Sequence, residues 1–405
     1  LSNVNGSVES VILIAESKPK VKAMNQFPGT CTIVCVVALM WSTLTSIAVG
    51  QSAQPIDRIE LIERAVGRLI EIQEQDGAWP YEGVYRVGGK IPVGYRIGGT
   101  AIVCCALLDA PIKDRSKADE AIGRGIKLVL EELEHPLMKV SVENKYDVRV
   151  WGHIYALETF VRLKSSGRFA DLEVEVKPWI DKLVPILMKE QLEDGGWNYA
   201  SRNQHACFVT APALQALMLA RANGIEVEDT VFERGVKALI HSRGENGAFS
   251  YSGTTSVMGG GEKIPGSIAR NPICEATLLM LKQGDNKQLQ AAIDAFHEHW
   301  DELEKRRKKT GTHVPPYGIA PYYFYYGHRY LAQSIELLPA ELHDREYQRL
   351  EAVLRKTLDD DHTWNDRVFA RSRAFGTAMS VLALSRNAVP LPSKIAATEK
   401  SNLPN

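Results

Sequence analysis

Alternating β-branched runs bounded by turns are almost missing from this 405-residue sequence, which argues against sandwiches and barrels. Cysteine is also sparse. Of six cysteines, Cys31 and Cys35 lie in an apolar N-terminal run. Cys104, Cys105, Cys207 and Cys274 remain, too few and too scattered for a disulfide framework. The neighbours Cys104 and Cys105 sit in an apolar helical pattern and read as small buried hydrophobes. Neither sign of charge predominates: the formal net charge is -1, so neither nucleic-acid binding nor an acidic interaction tail is expected. Any charge-driven function has to come from local clustering. What is present, 45% hydrophobic and 24% charged residues, is the composition of a globular protein.

One long apolar run stands apart. Lys18, Lys20 and Lys22 precede "CTIVCVVALMWSTLTSIAVG", residues 31–50, which ends in small residues at signal-peptidase spacing. The pattern predicts a secretory leader over 1–50, cleaved near Gly50, with a start at Leu1 or Met24. The expected location is therefore secreted or periplasmic. A competing reading keeps the run uncleaved as a membrane anchor, the sole membrane contact foreseen. At the other end, residues 387–405 read as a disordered tail.

The rest of the chain repeats. Four phrases align on an aromatic residue: "QEQDGAWPY" at Trp79, "QLEDGGWNY" at Trp197, "RGENGAFSY" at Phe249 and "LDDDHTWND" at Trp364. Their intervals of 118, 52 and 115 residues fit a unit of about 55 residues if each long gap holds one degenerate copy. Segments of the form T-A-x-x-x-x-A-L begin at Thr100, Thr210 and Thr377, at multiples of the same unit. Apolar helical patterns fill the gaps, in "VWGHIYALETF", "NPICEATLLML" and "YYFYYGHRYLAQSIELL". The phase predicts six helical hairpins, at 57–110, 119–165, 175–223, 229–283, 289–338 and 346–386, with Asp119 and Asp229 as helix caps.

In "QLEDGGWNY", Gly195 and Gly196 suit a left-handed helix ending. Asp194 suits acceptance of backbone hydrogen bonds in the turn. Trp197 offers a large apolar face with one polar N–H, and Gln191, like Gln73, is placed to reach carbonyls at the helix end. The phrase reads as a structural clasp.

Residues 73–79 and 191–197 resemble the Q-x-x-D-G-x-W repeat of the protein prenyltransferase β-subunits and squalene cyclases. The resemblance implies an all-α fold over 51–386, an α/α toroid of about six helical hairpins alternating around a central cavity. The chemical motifs of those families are not matched. In place of the cyclase acid D-x-D-D stands Asp359-Asp360-Asp361-His362, within the clasp turn. In place of the prenyltransferase D-x-C stands His205-Ala206-Cys207. No metal and no cofactor is expected.

The loops before the inner helices carry the candidate chemistry. "GGKIPVGYRIGGT" and "GGEKIPGSIARNPIC" echo one another. Arg96 lies four residues before Thr100 and Arg373 four before Thr377. Arg270 lies four before Cys274, which is aligned with those threonines. With Lys90, Lys263 and Arg371 they would form a basic rim, and guanidinium forks suit carboxylate, sulfate or phosphate. Asn203 completes the ligand-binding set. Tyr322, Tyr326, His328 and His205 are the acid–base candidates, a combination suited to β-elimination from a uronic acid. The expectation is an exported protein whose central cavity binds, and in the sharpest version acts on, a small-molecule or glycan ligand that is anionic. A uronic-acid or sulfated glycan fits that description. Two alternatives stay open: a divergent terpene cyclase or prenyltransferase-like enzyme, and a non-catalytic protein-binding scaffold.

Overall fold

A computed structural model describes residues 56–140, 148–200, 204–253 and 263–386. The expected leader, the expected tail and Asn203 lie outside the described residues. The described residues all belong to one compact unit. Among the described residues it is helical and sheet-free, with three isolated bridges. In chain order the helices are α1 (Arg58–Glu71), α2 (Val93–Asp109), α3 (Ser116–Leu133), α4 (Arg149–Ser166) and α5 (Ala170–Lys189). Then come α6 (Cys207–Ala222), α7 (Asp229–Ser242), α8 (Ile264–Ser267), α9 (Asn271–Met280) and α10 (Asn286–Glu298). The last four are α11 (Trp300–Glu304), α12 (Phe324–Ile335), α13 (Ala340–Lys356) and α14 (Arg373–Leu384).

Two kinds of helix alternate, and composition explains why. Helices α1, α3, α7, α10 and α13 bury one stripe each, as Leu61, Ile62, Ala65, Val66 and Leu69 do on α1, and show charge on the other face. Helices α2, α4, α6, α12 and α14 are buried along almost their whole length. That is the pattern of helices enclosed on all sides. The enclosed set packs in the order α2–α4–α6–α9–α12–α14, and α14 in turn packs against α2. Each also meets an amphipathic helix: α2 with α3, α4 with α5, α6 with α7, α9 with α10, α12 with α13 and α14 with α1. The result is a set of hairpin-like helix pairs. Asp119 and Asp229 are not caps: each lies inside the first turn of its helix, where it meets the positive end of the dipole.

The clasps are built alike. The indole N–H of Trp79 donates to the Leu69 carbonyl at 2.7 Å, that of Trp197 to Leu187 at 2.7 Å and that of Trp364 to Leu354 at 2.9 Å. Their backbone N–H groups donate to the hydroxyls of Thr100, Thr210 and Thr377 at 2.9–3.0 Å. One residue thus ties the end of an amphipathic helix to the start of an enclosed one. In the remaining copy the Phe249 N–H donates to Asn271 Oδ1 at 3.1 Å. Asn271 therefore holds the threonine place, which the sequence alignment assigned to Cys274. Gln73 and Gln191 also act differently from expectation: each amide donates across its own turn and to the next amphipathic helix, at Ala121 and Val231. Gly195 is left-handed, with φ +94°. Gly196 is small for another reason: a Cβ there would meet Thr210 Oγ1 at 2.6 Å.

Candidate functional site

In the three tryptophan clasps the acid of the turn recruits a partner from the start of the next enclosed helix. Asp76 pairs with Arg96 at 2.9 Å, Asp361 with Arg373 at 3.1 Å, and Asp194 with His205 at 2.7 Å. Arg96 also holds Glu132 at 2.6 Å. Burial opposes the Asp194 charge, but hydrogen bonds from the His205 backbone and ring outweigh it and hold this carboxyl below the ordinary carboxylate range. The recurrence of arginine four residues before threonine, at Arg96 and Arg373, is thus an ion pair within two of the clasps. Arg270 does not belong to the series. It precedes Asn271 directly and lies buried, donating to the carbonyls of Phe249 at 2.9 Å and Gly266 at 2.7 Å. The arginines do not converge on one cavity.

A second grouping does occur, at the start of α2. Lys90, Arg96 and Arg371 line a cleft of about 830 Å³ together with Arg86, Glu82, Glu131, Glu132, Glu134 and His135. Four cations face four carboxylates, so the cleft is mixed in charge and not a basic funnel. Arg371 reaches Glu74 at 2.9 Å, and Arg86 reaches Glu82 at 2.8 Å. Burial lifts the Glu132 carboxyl above its ordinary range despite the Arg96 beside it. Lys263 is exposed at the start of α8 and is not part of this lining.

Between the enclosed helices lies an aromatic pit of about 30 Å³ lined by Tyr81, Tyr95, Trp151, Tyr199, Phe208, Tyr322, Tyr323, Tyr326 and Phe375. Space of this size holds one or two water molecules. Tyr322 and Tyr326 are here, but as wall. The Tyr326 hydroxyl donates to the Phe208 carbonyl at 2.8 Å, and the Tyr322 hydroxyl lies 3.0 Å from His313 Nε2.

His328 and His205 reach neither cavity. The Nδ1–H of His328 donates to the Phe324 carbonyl at 2.7 Å, so Nε2 accepts the Trp300 indole N–H at 2.9 Å. Burial lowers its pKa to about 3, which leaves it neutral and sealed between α11 and α12. The His205 ring lies between Asp194 and Ser242, with Nε2 2.6 Å from Ser242 Oγ. That order of groups matches a hydrolase relay, yet Ser242 has zero exposure and lines neither cavity. Both ring nitrogens are engaged, Nδ1 with Asp194 and Nε2 with Ser242.

No protein-family model and no curated protein matches the chain. Solved structures do. An inactive variant of the α-1,6-mannanase GH76A of Salegentibacter sp. HEL1_6, in complex with α-1,6-mannotriose, is 14% identical. The match covers 82% of this chain and all of that one, with a TM-score of 0.53. The type II terpene cyclase MstE from Scytonema is 14% identical over 81% of this chain and 98% of its own, with a TM-score of 0.47. An α-amylase from Clostridium perfringens is 12% identical over 80% and 97%, at 0.49. The likeness is one of fold. It reaches the cyclases only as a weak, partial match, and it assigns no residue of either cavity a role.

Sequence reasoning did not single out Tyr81 or Asp366. A signal was present: each stands two residues beyond a clasp tryptophan, and so does Tyr199.

Proposed function

We propose that the chain is an exported α/α toroid of six helical hairpins that binds an acidic glycan in the rim cleft around Lys90. The size and lining of that cleft carry the reading. About 830 Å³ falls within the roughly 300–1,000 Å³ of ordinary ligand sites. Its lysine and arginines suit a carboxylate or sulfate, while its four glutamates suit sugar hydroxyls. Arg96, clamped by Asp76 and Glu132, shapes the wall. Lys90 and Arg371 are the ligand-facing cations, and both are exposed. The closed packing order of the enclosed helices supports the toroid, and the leader pattern at 18–50 supports export. A related fold solved with a mannotriose lends the sugar reading general support. The aromatic pit is too small for an isoprenoid chain, which weighs against the cyclase-like alternative.

The test is calorimetric titration with uronic-acid, sulfated and neutral oligosaccharides. Acidic oligosaccharides are expected to bind best. Lys90→Ala and Arg371→Ala should each weaken binding about tenfold, equivalent to about 1.4 kcal/mol. Binding to none of them, or binding untouched by both substitutions, overturns the proposal.

A further inference from the structure

Two thiols far apart in sequence meet where α6 packs on α9. Cys207 is the first residue of α6 and Cys274 the fourth of α9, and both have zero exposure. The Cys274 Sγ lies 3.9 Å from the Cys207 carbonyl oxygen, and the two side chains are within hydrogen-bond reach of each other. Cys104 and Cys105 point instead to different neighbours. Cys104 Sγ faces the Ile122 carbonyl at 4.0 Å, whereas Cys105 Sγ lies 3.0 Å from Thr159 Oγ1. All four are thiols in this structure. A sulfur–sulfur bond requires backbones that are already close, and the direct packing of α6 on α9 supplies that closeness.

The place of the pair in the fold gives such a bond something to hold. Helix α9 follows the clasp in which Phe249 stands where the other three have tryptophan, so it lacks the indole bond. Cys207 Sγ donates to the carbonyl of Ser250, next to Phe249, at 3.1 Å. The thiols therefore sit beside the clasp that is missing that tie. We propose that Cys207 and Cys274 form a disulfide when the chain folds in the presence of a small-molecule disulfide, stapling α6 to α9.

The chemistry is two successive exchanges. The thiolate of one cysteine attacks the small disulfide RSSR and expels RS⁻, leaving a mixed disulfide. The thiolate of the other attacks the protein sulfur of that bond and expels the second RS⁻. Two protein thiols and one RSSR become one protein disulfide and two RSH, the protons passing through solvent to the expelled thiolates. Burial pushes the Cys274 thiol well above its ordinary value, and only a thiolate attacks. Exchange is therefore confined to the folding chain, before α6 and α9 close over the pair. The bond closes a loop of 67 residues, which restricts the unfolded chain. Disulfides persist in oxidising compartments, so such a bond suits the proposed export and does not depend on the glycan reading.

The experiment is cell-free synthesis of the full chain in two buffers, one with reduced glutathione alone and one with glutathione and its disulfide. The soluble product is denatured in the presence of an alkylating reagent, digested and read by mass spectrometry. The oxidised product is expected to give a peptide linking Cys207 to Cys274, with Cys104 and Cys105 alkylated. It should also melt at least about 4 °C above the reduced product, and Cys274→Ser should remove that difference. An oxidised product that lacks the linked peptide, or that carries it and melts no higher, overturns the proposal. The peptide is read from the unsubstituted chain, so it decides the matter even if Cys274→Ser does not fold. Oligosaccharide binding at the rim is read separately, so either proposal can fail alone.

Discussion

The indole N–H of Trp197 has one partner, the Leu187 carbonyl, and that bond ties the clasp turn to the end of α5. Replacing Trp197 with Phe keeps an apolar ring, as Phe249 does in its own clasp, but strands a buried carbonyl. The expected loss is about 1–3 kcal/mol, seen as an earlier midpoint in urea unfolding. An unchanged midpoint would show that the bond is dispensable. Asp366 makes a second prediction at this scale. Its carboxyl has a pKa of about 7 in the folded chain against an ordinary 3.8, so the native state holds its proton more tightly than the unfolded state. Stability from this group is full at low pH and falls as pH rises from about 4 to about 7. Asp366→Asn removes that fall, so the variant should gain melting temperature over the parent at pH 8 more than at pH 5. An equal difference at both pH values would exclude the buried carboxyl as its source.

At the scale of elements, the turn between α5 and α6 docks on α7. Gly195 has φ +94°, and a Cβ there would overlap the Arg234 carbonyl of α7. Gly167 ends α4 with φ +62° and has nothing near it. The two glycines therefore separate backbone strain from contact between elements. Gly167→Ala should cost about 1–2 kcal/mol, the strain of a left-handed residue. Gly195→Ala adds a steric clash of about 1–3 kcal/mol, and the comparison of the two unfolding midpoints checks it. Helices, clasp residues and the repeat phase were legible because burial at a 3.6-residue period and the Asp-Gly-x-Trp phrase leave local marks. The arginines were not. Their partners, Asp76 and Asp361, belong to a motif that already had a role as a turn, so the recurrence looked unexplained and was assigned to a ligand. Cys274 was aligned with the threonines because apolar spacing alone cannot tell it from Asn271. Only the hydrogen bond to Phe249 does. Asp366 shares the position two residues past a clasp aromatic with Tyr81 and Tyr199, a mark the repeat carried, but a single acid there gives no chemical reason of its own to weigh it.

At the scale of the helical unit, the last clasp docks on the first helix as the earlier clasps dock on the helices after them. His362 lies 3.1 Å from Arg64, and Asp361 lies 3.5 Å from Arg68, both on α1. The Arg58 guanidinium at the start of α1 donates to the Leu384 carbonyl at the end of α14, at 2.6 Å. Helices α14 and α2 pack directly as well. If the proposed toroid is closed, the seam between α14 and α1 is one more hairpin contact, and the order in which the chain visits the ring is arbitrary. A permutant follows from this: residue 386 joined to residue 56 by a short Gly-Ser linker, with new ends opened in the polar segment 112–115. Chain ends that lie close together make such rearrangements tolerable, and the cut falls where the backbone is largely exposed. The permutant should retain the helical circular-dichroism spectrum and melt within about 5 °C of the unpermuted 56–386 chain, since about 1 kcal/mol moves even a smaller domain, of about 150–250 residues, by only about 2–4 °C. An open arrangement would instead be strained by the new link and would lose cooperative melting.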